Sequence, residues 1–204
     1  MKPENSNFVK RYLEESKEVA SKIDHASIER IIDLFLEVRS HNGRLFFLGV
    51  GGSAGNASHA VNDFRKICGF EAYAPTDNVS ELTARINDEG WDTAFSQWLK
   101  TSRLSKNDAI CVFSVGGGDI ERKISVNLVR AVEYAKSVGA KITGVVGRNG
   151  GFTAKMADAC VIIPTINAET VTAHAETFQV LVWHMLVSHP KLQTAPMKWE
   201  SVEK

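Results

Sequence analysis

The sequence predicts an α/β protein in which helices cover both faces of a doubly wound parallel sheet. Short apolar runs that are typical of strands alternate with segments of helical periodicity along most of the 204 residues. The strand-like runs are apolar at nearly every position, as in residues 108–114, which indicates burial on both faces. Two of these runs end in glycine-rich loops, and ligands of such sheets bind beyond the carboxyl ends of the strands.

Two helices are expected before the first strand, because both segments place apolar residues at three- and four-residue spacing. The strands are expected at residues 44–48, 71–74, 108–114, 141–146 and 159–163. The helices are expected at residues 7–23, 27–40, 53–68, 77–85, 92–102, 170–188, and 119–138 with Asp119 as its cap, and a short one follows Gly150-Gly151. Residues 1–190 are therefore expected to form one domain, and residues 191–204, which lack periodicity, a poorly ordered tail.

The composition argues against several classes of partner. Lys and Arg together number 24, as do Asp and Glu, so no overall charge attracts nucleic acid or an anionic membrane. No apolar run approaches the ~18 residues of a membrane-spanning helix, and the polar N-terminus does not resemble a signal peptide. The three cysteines are widely spaced and two lie in strand-like runs, which favours buried free thiols in a cytoplasmic protein.

The first glycine loop carries the strongest indication of function. The strand at residues 45–48 ends in Gly49, Gly51 and Gly52, and Ser53 opens a helix, an arrangement that presents backbone N–H groups to an anion. His59 and Asp63 follow on one face of that helix, four residues apart. An anion-binding loop close to a His/Asp pair suggests a phosphorylated substrate with proton-transfer or metal chemistry.

A dinucleotide-binding site is the competing interpretation of this loop. Residues 49–54 satisfy the G-x-G-x-x-G/A fingerprint and follow a strand, as that fingerprint requires. The fingerprint also requires an acidic residue at the end of the second strand. Glu71 lies at about the right distance from the glycines, but it begins the expected second strand and does not end it. Two helices before the first strand are also unusual for such a domain. No nucleotide cofactor is therefore expected.

Two segments resemble the sugar isomerase (SIS) domain family, GVGGSAGNASH at residues 49–59 and AICVFSVGGGD at residues 109–119. Phosphoheptose isomerases are the nearest branch, and the resemblance extends over about residues 5–189. It implies an SIS-type, flavodoxin-like three-layer sandwich and a homotetramer with active sites between subunits. It also implies a phosphorylated sugar as substrate, sedoheptulose 7-phosphate, which is converted to glycero-manno-heptose 7-phosphate through an enediol.

The resemblance assigns roles to individual residues. Asp63 stands where the family has a catalytic glutamate and His184 on its catalytic histidine, so they are the expected proton-transfer pair. The alternative use of the same residues is a metal site, because His59, Asp63, Glu176 and His184 together offer two imidazoles and two carboxylates, a set suited to zinc or another divalent ion. The expected substrate contacts are residues of the two glycine loops and polar side chains near them: Gly51, Gly52, Ser53, Asp88, Ser114, Gly116, Gly117 and Glu176.

The second glycine loop departs from the family pattern. The family has a hydroxyl-rich S-T-S-G-N-S there, whereas this chain has Ser114, Val115, three glycines and Asp119. The carboxylate of Asp119 suits a helix N-terminus but opposes a phosphate. The first loop and Ser114 are therefore expected to carry more of the phosphate binding than in the family.

Structural interpretations stay open for several of these residues. The neighbours of His184 are apolar, as expected for a hydrogen-bonded core histidine, and His59 and Asp63 could belong to a solvated helix face. Glu176 needs a partner on so apolar a helix. The alternative to an isomerase is a non-catalytic SIS protein that binds phosphosugars or acts as a regulatory scaffold.

Overall fold

A five-stranded, fully parallel sheet forms the centre of the fold. The computed structural model of the chain describes residues 7–197. The strands are β1 (Leu45–Gly49), β2 (Ala72–Tyr73), β3 (Ala109–Ser114), β4 (Lys141–Val146) and β5 (Ala159–Ile162). They lie in the order β2-β1-β3-β4-β5, so that the chain runs outward in one direction from β1 to β2 and in the other from β3 to β5.

Eight helices are found within the described residues, and the first two precede the sheet as the sequence predicts. They are α1 (Phe8–Lys22), α2 (His25–Ser40), α3 (Gly52–Lys66), α4 (Val79–Glu89), α5 (Ala94–Thr101), α6 (Val126–Ser137), α7 (Gly151–Met156) and α8 (Val171–Ser188). One apolar cluster joins α1, α2, α3 and α8 to one face of the sheet. A second cluster joins α5, α6 and α7 to the other face. The predicted doubly wound α/β fold is confirmed.

Alternation along the strands explains why both faces are covered. Phe47 of β1 and Cys111 of β3 belong to the first cluster, whereas Phe46 and Ile110 belong to the second. The side chains of β1 and β3 therefore meet a helix layer on whichever face of the sheet they project. The carboxyl ends of β1, β3 and β4 meet at one edge of the sheet, where the two glycine loops lie side by side.

The start of α6 differs from the sequence prediction. The helix begins at Val126, seven residues after the expected cap Asp119. Asp119 and Ile124 exchange two backbone hydrogen bonds of 2.9 Å, and the Asp119 carboxylate accepts a hydrogen bond from the Arg122 backbone N–H at 3.0 Å. Residues 119–124 are therefore a tight turn, which we call the 119–124 turn. Asp119 caps this turn and not the helix, and Ser125 in left-handed conformation (φ 47°) separates the turn from the helix.

The segment after α8 is held against the fold at its beginning. Leu192 is fully buried, and the Thr194 backbone N–H donates to the Ile67 carbonyl at 2.8 Å. The guanidinium of Arg39 also donates to the carbonyls of Lys191 and Leu192. Apolar packing and these hydrogen bonds thus join residues 191–194 to the fold, and residues 198–204 lie outside the described residues.

The three cysteines are unpaired, as the sequence predicts. Burial raises the pKa of the Cys68 thiol to about 11 and that of the Cys111 and Cys160 thiols to about 12. Such thiols stay protonated and unreactive at neutral pH. Among residues 7–197, none of the helices has both the length and the apolar character required to cross a membrane.

Candidate active site

The first glycine loop leads from the end of β1 into α3. Gly51 adopts a left-handed conformation (φ 62°) at the helix N-cap, and a side chain there would meet open space. Ser53, in the first turn of α3, is buried, and its hydroxyl accepts a hydrogen bond from Gln179 Nε2 at 3.0 Å. The hydroxyl proton of Ser53 is therefore free to be donated to a ligand.

Gln179 and Asn56 support Ser53 and were not predicted from the sequence. Asn56 Nδ2 donates to Gln179 Oε1 at 2.9 Å and to the Glu176 carbonyl at 3.0 Å. This chain of hydrogen bonds fixes α3 against α8 where the first loop begins the helix. In the sequence, the indication was a glutamine, Gln179, within an apolar helical segment. The structure shows that Gln179 is fully buried, and a buried glutamine needs hydrogen-bond partners within the fold.

Glu176 lies directly over Gly52. A Cβ atom at position 52 would come within 2.7 Å of the carboxylate carbon and both carboxylate oxygens of Glu176, so a side chain there would displace this carboxylate. A carboxylate at a helix N-terminus is favoured by the helix dipole. The same negative charge opposes a phosphate at the Gly52 N–H, where the sequence predicted one.

His59, Asp63 and His184 come together between α3 and α8. Each residue offers one ligand atom, an imidazole nitrogen or a carboxylate oxygen, and these three atoms lie within 4.8 Å of one another. Asp63 Oδ2 is 3.8 Å from His184 Nε2 and 4.0 Å from His59 Nε2, and Asn62 donates to Asp63 Oδ1 at 2.8 Å. We call these three residues the His–Asp–His cluster.

The cluster is open to solvent on one side and apolar on the other. The side chains of His59 and His184 are 58% and 46% exposed, whereas that of Asp63 is 16% exposed. The buried Trp183 packs against His59, with ring centroids 4.7 Å apart. His184 is therefore a surface residue and not the core histidine of the structural interpretation. The donors face a space that a substrate or an ion can enter.

Two predicted site residues lie away from the cluster. Glu176 is two helical turns before His184 on α8, and its carboxylate is not among the atoms within 4.8 Å. Asp88 is exposed on α4, where Asn87 donates to its carboxylate at 2.7 Å. α4 buries none of its eleven residues in a single chain. The three predicted ligands of the cluster are thus brought together, and Glu176 and Asp88 are not.

A cavity of about 540 Å³ opens beside the first loop, at the carboxyl edge of the sheet. Its size lies within the usual range for small-molecule sites. Of the predicted substrate contacts, Ser53, Ser114 and Gly116 line it. Its other polar lining residues come from the 119–124 turn, the start of α6, the loop and helix after β4, and the start of α8: Asp119, Glu121, Arg122, Ser125, Arg148, Asn149, Lys155 and Thr172.

The second glycine loop is fixed by its own hydrogen bonds and by α7. Ser114 Oγ accepts the Gly117 N–H at 3.0 Å, and the Gly117 carbonyl accepts both the backbone N–H and the hydroxyl of Thr153. A Cβ at Gly117 would lie 1.9 Å from the Gly150 carbonyl oxygen. Close packing of two backbones therefore requires glycine at position 117, so ligand approach is not needed to explain it.

Comparisons with known proteins show the family of this chain. A family model described as the SIS domain matches residues 11–147. The chain belongs to the SIS domain family. A probable phosphoheptose isomerase of Thermoplasma volcanium is 31% identical over 182 residues, which are 87% of this chain and 87% of that protein. A phosphoheptose isomerase of Rhodospirillum rubrum is 30% identical over 149 residues, 71% of this chain and 73% of that protein.

Solved structures agree with the assignment to the SIS domain family. A phosphoheptose isomerase from Neisseria gonorrhoeae superimposes with a TM-score of 0.78 at 26% identity, over 90% of this chain and 96% of that one. A phosphoheptose isomerase from Francisella tularensis gives a TM-score of 0.77 at 21% identity and shows the same fold. Within the SIS domain family the chain falls in the phosphoheptose isomerase branch, as its loop motifs indicate.

Proposed function

We propose that this SIS domain protein is an aldose–ketose isomerase that converts sedoheptulose 7-phosphate to glycero-manno-heptose 7-phosphate. The observation that carries the proposal is the approach of Asp63 and His184 across α3 and α8, with 3.8 Å between Oδ2 and Nε2. An acid and a base are thus available from two different helices, in the solvent-accessible groove between them. The phosphoheptose isomerases among its relatives support the same reaction.

Asp63 is the proposed base and His184 the proposed acid. Isomerisation removes a proton from C1 of the ketose, next to the carbonyl, and returns a proton to C2 of the aldose through an enediol. Asp63 takes the carbon-bound proton, and His184 exchanges protons with the C1 and C2 oxygens. Positioned groups of this kind each contribute roughly 10²–10⁴-fold to the rate.

The spacing between the cavity and the cluster supports a long, phosphorylated substrate. Gly52 lies against Glu176 and Asp63 lies near His184, so α3 and α8 run parallel and side by side. Ser53 and Asp63 are ten residues apart on α3, which is about 15 Å between their Cα atoms. An extended seven-carbon sugar phosphate spans roughly 10 Å at the rise per bond of an extended chain. In the proposed complex, the phosphate lies in the cavity beside Ser53 and the chain of the sugar extends from there towards the cluster, which lies outside the cavity lining.

A divalent ion, most readily zinc, is proposed for the alternative use of the same residues, in which Asp63 and His184 are metal ligands and not the proton-transfer pair. The donor set of the His–Asp–His cluster supports this, because catalytic zinc is commonly held by two imidazoles and one carboxylate with one position left open. When bound, the ion would act as a Lewis acid on the substrate oxygens. Elemental analysis of the purified protein should find about one divalent ion per chain, and His184→Ala should lose it while His25→Ala on α2 keeps it. Metal-free protein that is fully active in the presence of a chelator would contradict the proposal.

A homotetramer with active sites between subunits is the proposed assembly. The exposed face of the cluster, the exposed Asp88 and the helix α4 without buried residues support a site that a second copy completes. Large apolar side chains are also exposed on α1 and α8: Phe8, Val9, Leu13, Leu181 and Met185. Apolar surface of this kind marks an interaction face.

Turnover of sedoheptulose 7-phosphate tests the proposed function. The protein is incubated with this ketose phosphate and, in separate reactions, with five- and six-carbon ketose phosphates. The aldose product of each reaction is followed by chromatography. We expect turnover to be fastest with the seven-carbon substrate. Absence of turnover with every one of these sugars would contradict the proposal and favour a phosphosugar-binding role.

A further inference from the structure

The cavity beside Ser53 contains three cationic side chains that were not predicted as part of the substrate site. Arg122, Arg148 and Lys155 line it together with the carboxylates of Asp119 and Glu121. Arg122 lies 3.8 Å from the Asp119 carboxylate and is partly neutralised by it. Within residues 7–197, no carboxylate oxygen lies within 4.0 Å of the charged nitrogens of Arg148 or Lys155. These two cations are available to a ligand.

The glycine loops themselves leave few groups for an anion. In the second loop, the Ser114 hydroxyl accepts the Gly117 N–H. The carbonyls of Gly117 and Gly118 accept the backbone N–H groups of Thr153 and Phe152 in the first turn of α7, so these N–H groups are not available to an anion. At the first loop, the Glu176 carboxylate lies over Gly52. An anion is therefore disfavoured at the Gly52 N–H, whereas the hydroxyls of Ser53 and Ser114, which accept hydrogen bonds within the fold, keep their protons for a ligand. The opposite wall of the cavity, after β4, is where positive charge is found.

Arg148 is placed in this wall by an unusual backbone conformation. It follows β4 with φ at 53°, a left-handed conformation that residues other than glycine, asparagine and aspartate rarely adopt. Its side chain extends over Gly116, since a Cβ at Gly116 would lie 3.9 Å from Arg148 Cδ. The side chain thus covers the part of the second loop where the family has hydroxyl groups.

We propose that Arg148 and Lys155 bind the phosphate of the substrate in this cavity and replace the hydroxyl-rich loop of the family. Arg148 offers a guanidinium fork that can bind two phosphate oxygens at once, and Lys155 adds a compact charge. The hydroxyls of Ser53 and Ser125, which also line the cavity, donate further hydrogen bonds. The identification of the anion as a sugar phosphate rests on the proposed function, whereas the anion site itself does not.

Binding of inorganic phosphate and turnover are measured separately to test this. Isothermal titration with phosphate and steady-state kinetics with sedoheptulose 7-phosphate are carried out on Arg148→Gln and Lys155→Gln. Arg103→Gln is the matched control, because Arg103 is exposed, has a left-handed backbone (φ 54°) and lies outside the cavity. Arg148→Asn is the second variant, since asparagine tolerates this backbone and removes the cation without strain.

We expect Arg148→Gln to weaken phosphate binding by roughly 10-fold or more, the loss for a hydrogen bond to a charged group. KM for the sugar phosphate should rise by a similar factor and kcat should change little. Arg148→Asn should bind phosphate as weakly while unfolding at no lower temperature than wild type, and Arg103→Gln should bind phosphate normally.

The two proposals fail in different ways. If wild type does not isomerise any sugar phosphate but Arg148→Gln still weakens phosphate binding, the anion site stands and the proposed function falls. If wild type binds no phosphate, or if Arg148→Gln and Lys155→Gln leave phosphate affinity and KM at wild-type values, the anion site is overturned, whatever the protein turns over.

Discussion

Glu15 is a buried carboxylate on α1 that connects this helix to the start of α8. It accepts hydrogen bonds from Asn167 and Thr170, each at 2.8 Å, and its Oε2 lies 3.1 Å from His174 Nε2. These hydrogen bonds, the one from Asn167 first, lower the pKa of Glu15 from 4.5 to about 2 despite its burial. Removing the charge leaves buried donors without their acceptor, which costs stability.

Glu15→Gln should therefore lower the stability of the fold in a pH-dependent way. A lowered folded-state pKa contributes stability that is fully present above pH 4.5 and is lost as the pH falls towards 2. At pH 7 we expect a loss of about 1–3 kcal/mol, and the difference from wild type should shrink between pH 4.5 and 2. Chemical denaturation across this range measures it. Glu14→Gln, an exposed neighbour, is the control, and equal pH profiles for Glu15→Gln and wild type would contradict the account.

At the candidate site, the sequence predicted the residues of the His–Asp–His cluster but not their surroundings. His59 and Asp63 could be placed together because they are four residues apart on one helix. His184 came only from the family resemblance, because nothing in helical periodicity shows that α8 packs beside α3. Arg148 was not predicted, because its place in the cavity depends on a left-handed backbone conformation after β4 that the sequence pattern does not show.

Among the secondary-structure elements, the strands and most helices could be predicted because burial on two faces leaves continuous apolar runs. The 119–124 turn could not, because Asp119 after three glycines has the local pattern of a helix cap. Two backbone hydrogen bonds between Asp119 and Ile124 close the turn, and the left-handed conformation of Ser125 delays the start of the helix. Local patterns cannot distinguish a capped helix from a capped turn when both use the same side chain.

The contact between the second glycine loop and α7 gives a direct stability prediction. Gly117→Ala places a Cβ 1.9 Å from the Gly150 carbonyl oxygen at a residue with φ 72°. Gly139→Ala is the control, because Gly139 also has a left-handed backbone (φ 75°) but its Cβ would make only ordinary contacts. Gly117→Ala should cost roughly 1–3 kcal/mol more than Gly139→Ala in denaturant unfolding, the usual cost of overpacking. Equal losses would show that the two backbones are not closely packed.

In the whole molecule, the exposed apolar faces of α1 and α8 form the proposed contact between subunits. Leu13 and Leu181 line one shallow groove between these helices and are 56% and 40% exposed. If this face lies between subunits, Leu13→Lys should separate an assembly of about four 22.4-kDa chains into smaller species and lower kcat. Ser21→Lys adds the same charge on α1 outside the groove and should leave the assembly intact. Analytical ultracentrifugation decides, and an active wild-type monomer would contradict the proposed tetramer.

The central claim is that Asp63 moves the carbon-bound proton of a sugar phosphate, and kcat of Asp63 variants with sedoheptulose 7-phosphate tests it most directly. Asp63→Asn keeps the shape and removes the base, and should lower kcat by about 10²-fold or more. Asp63→Glu keeps a carboxylate at this position and should retain activity, and Asp33→Asn, exposed on α2, should match wild type. Wild-type kcat in Asp63→Asn would contradict the account.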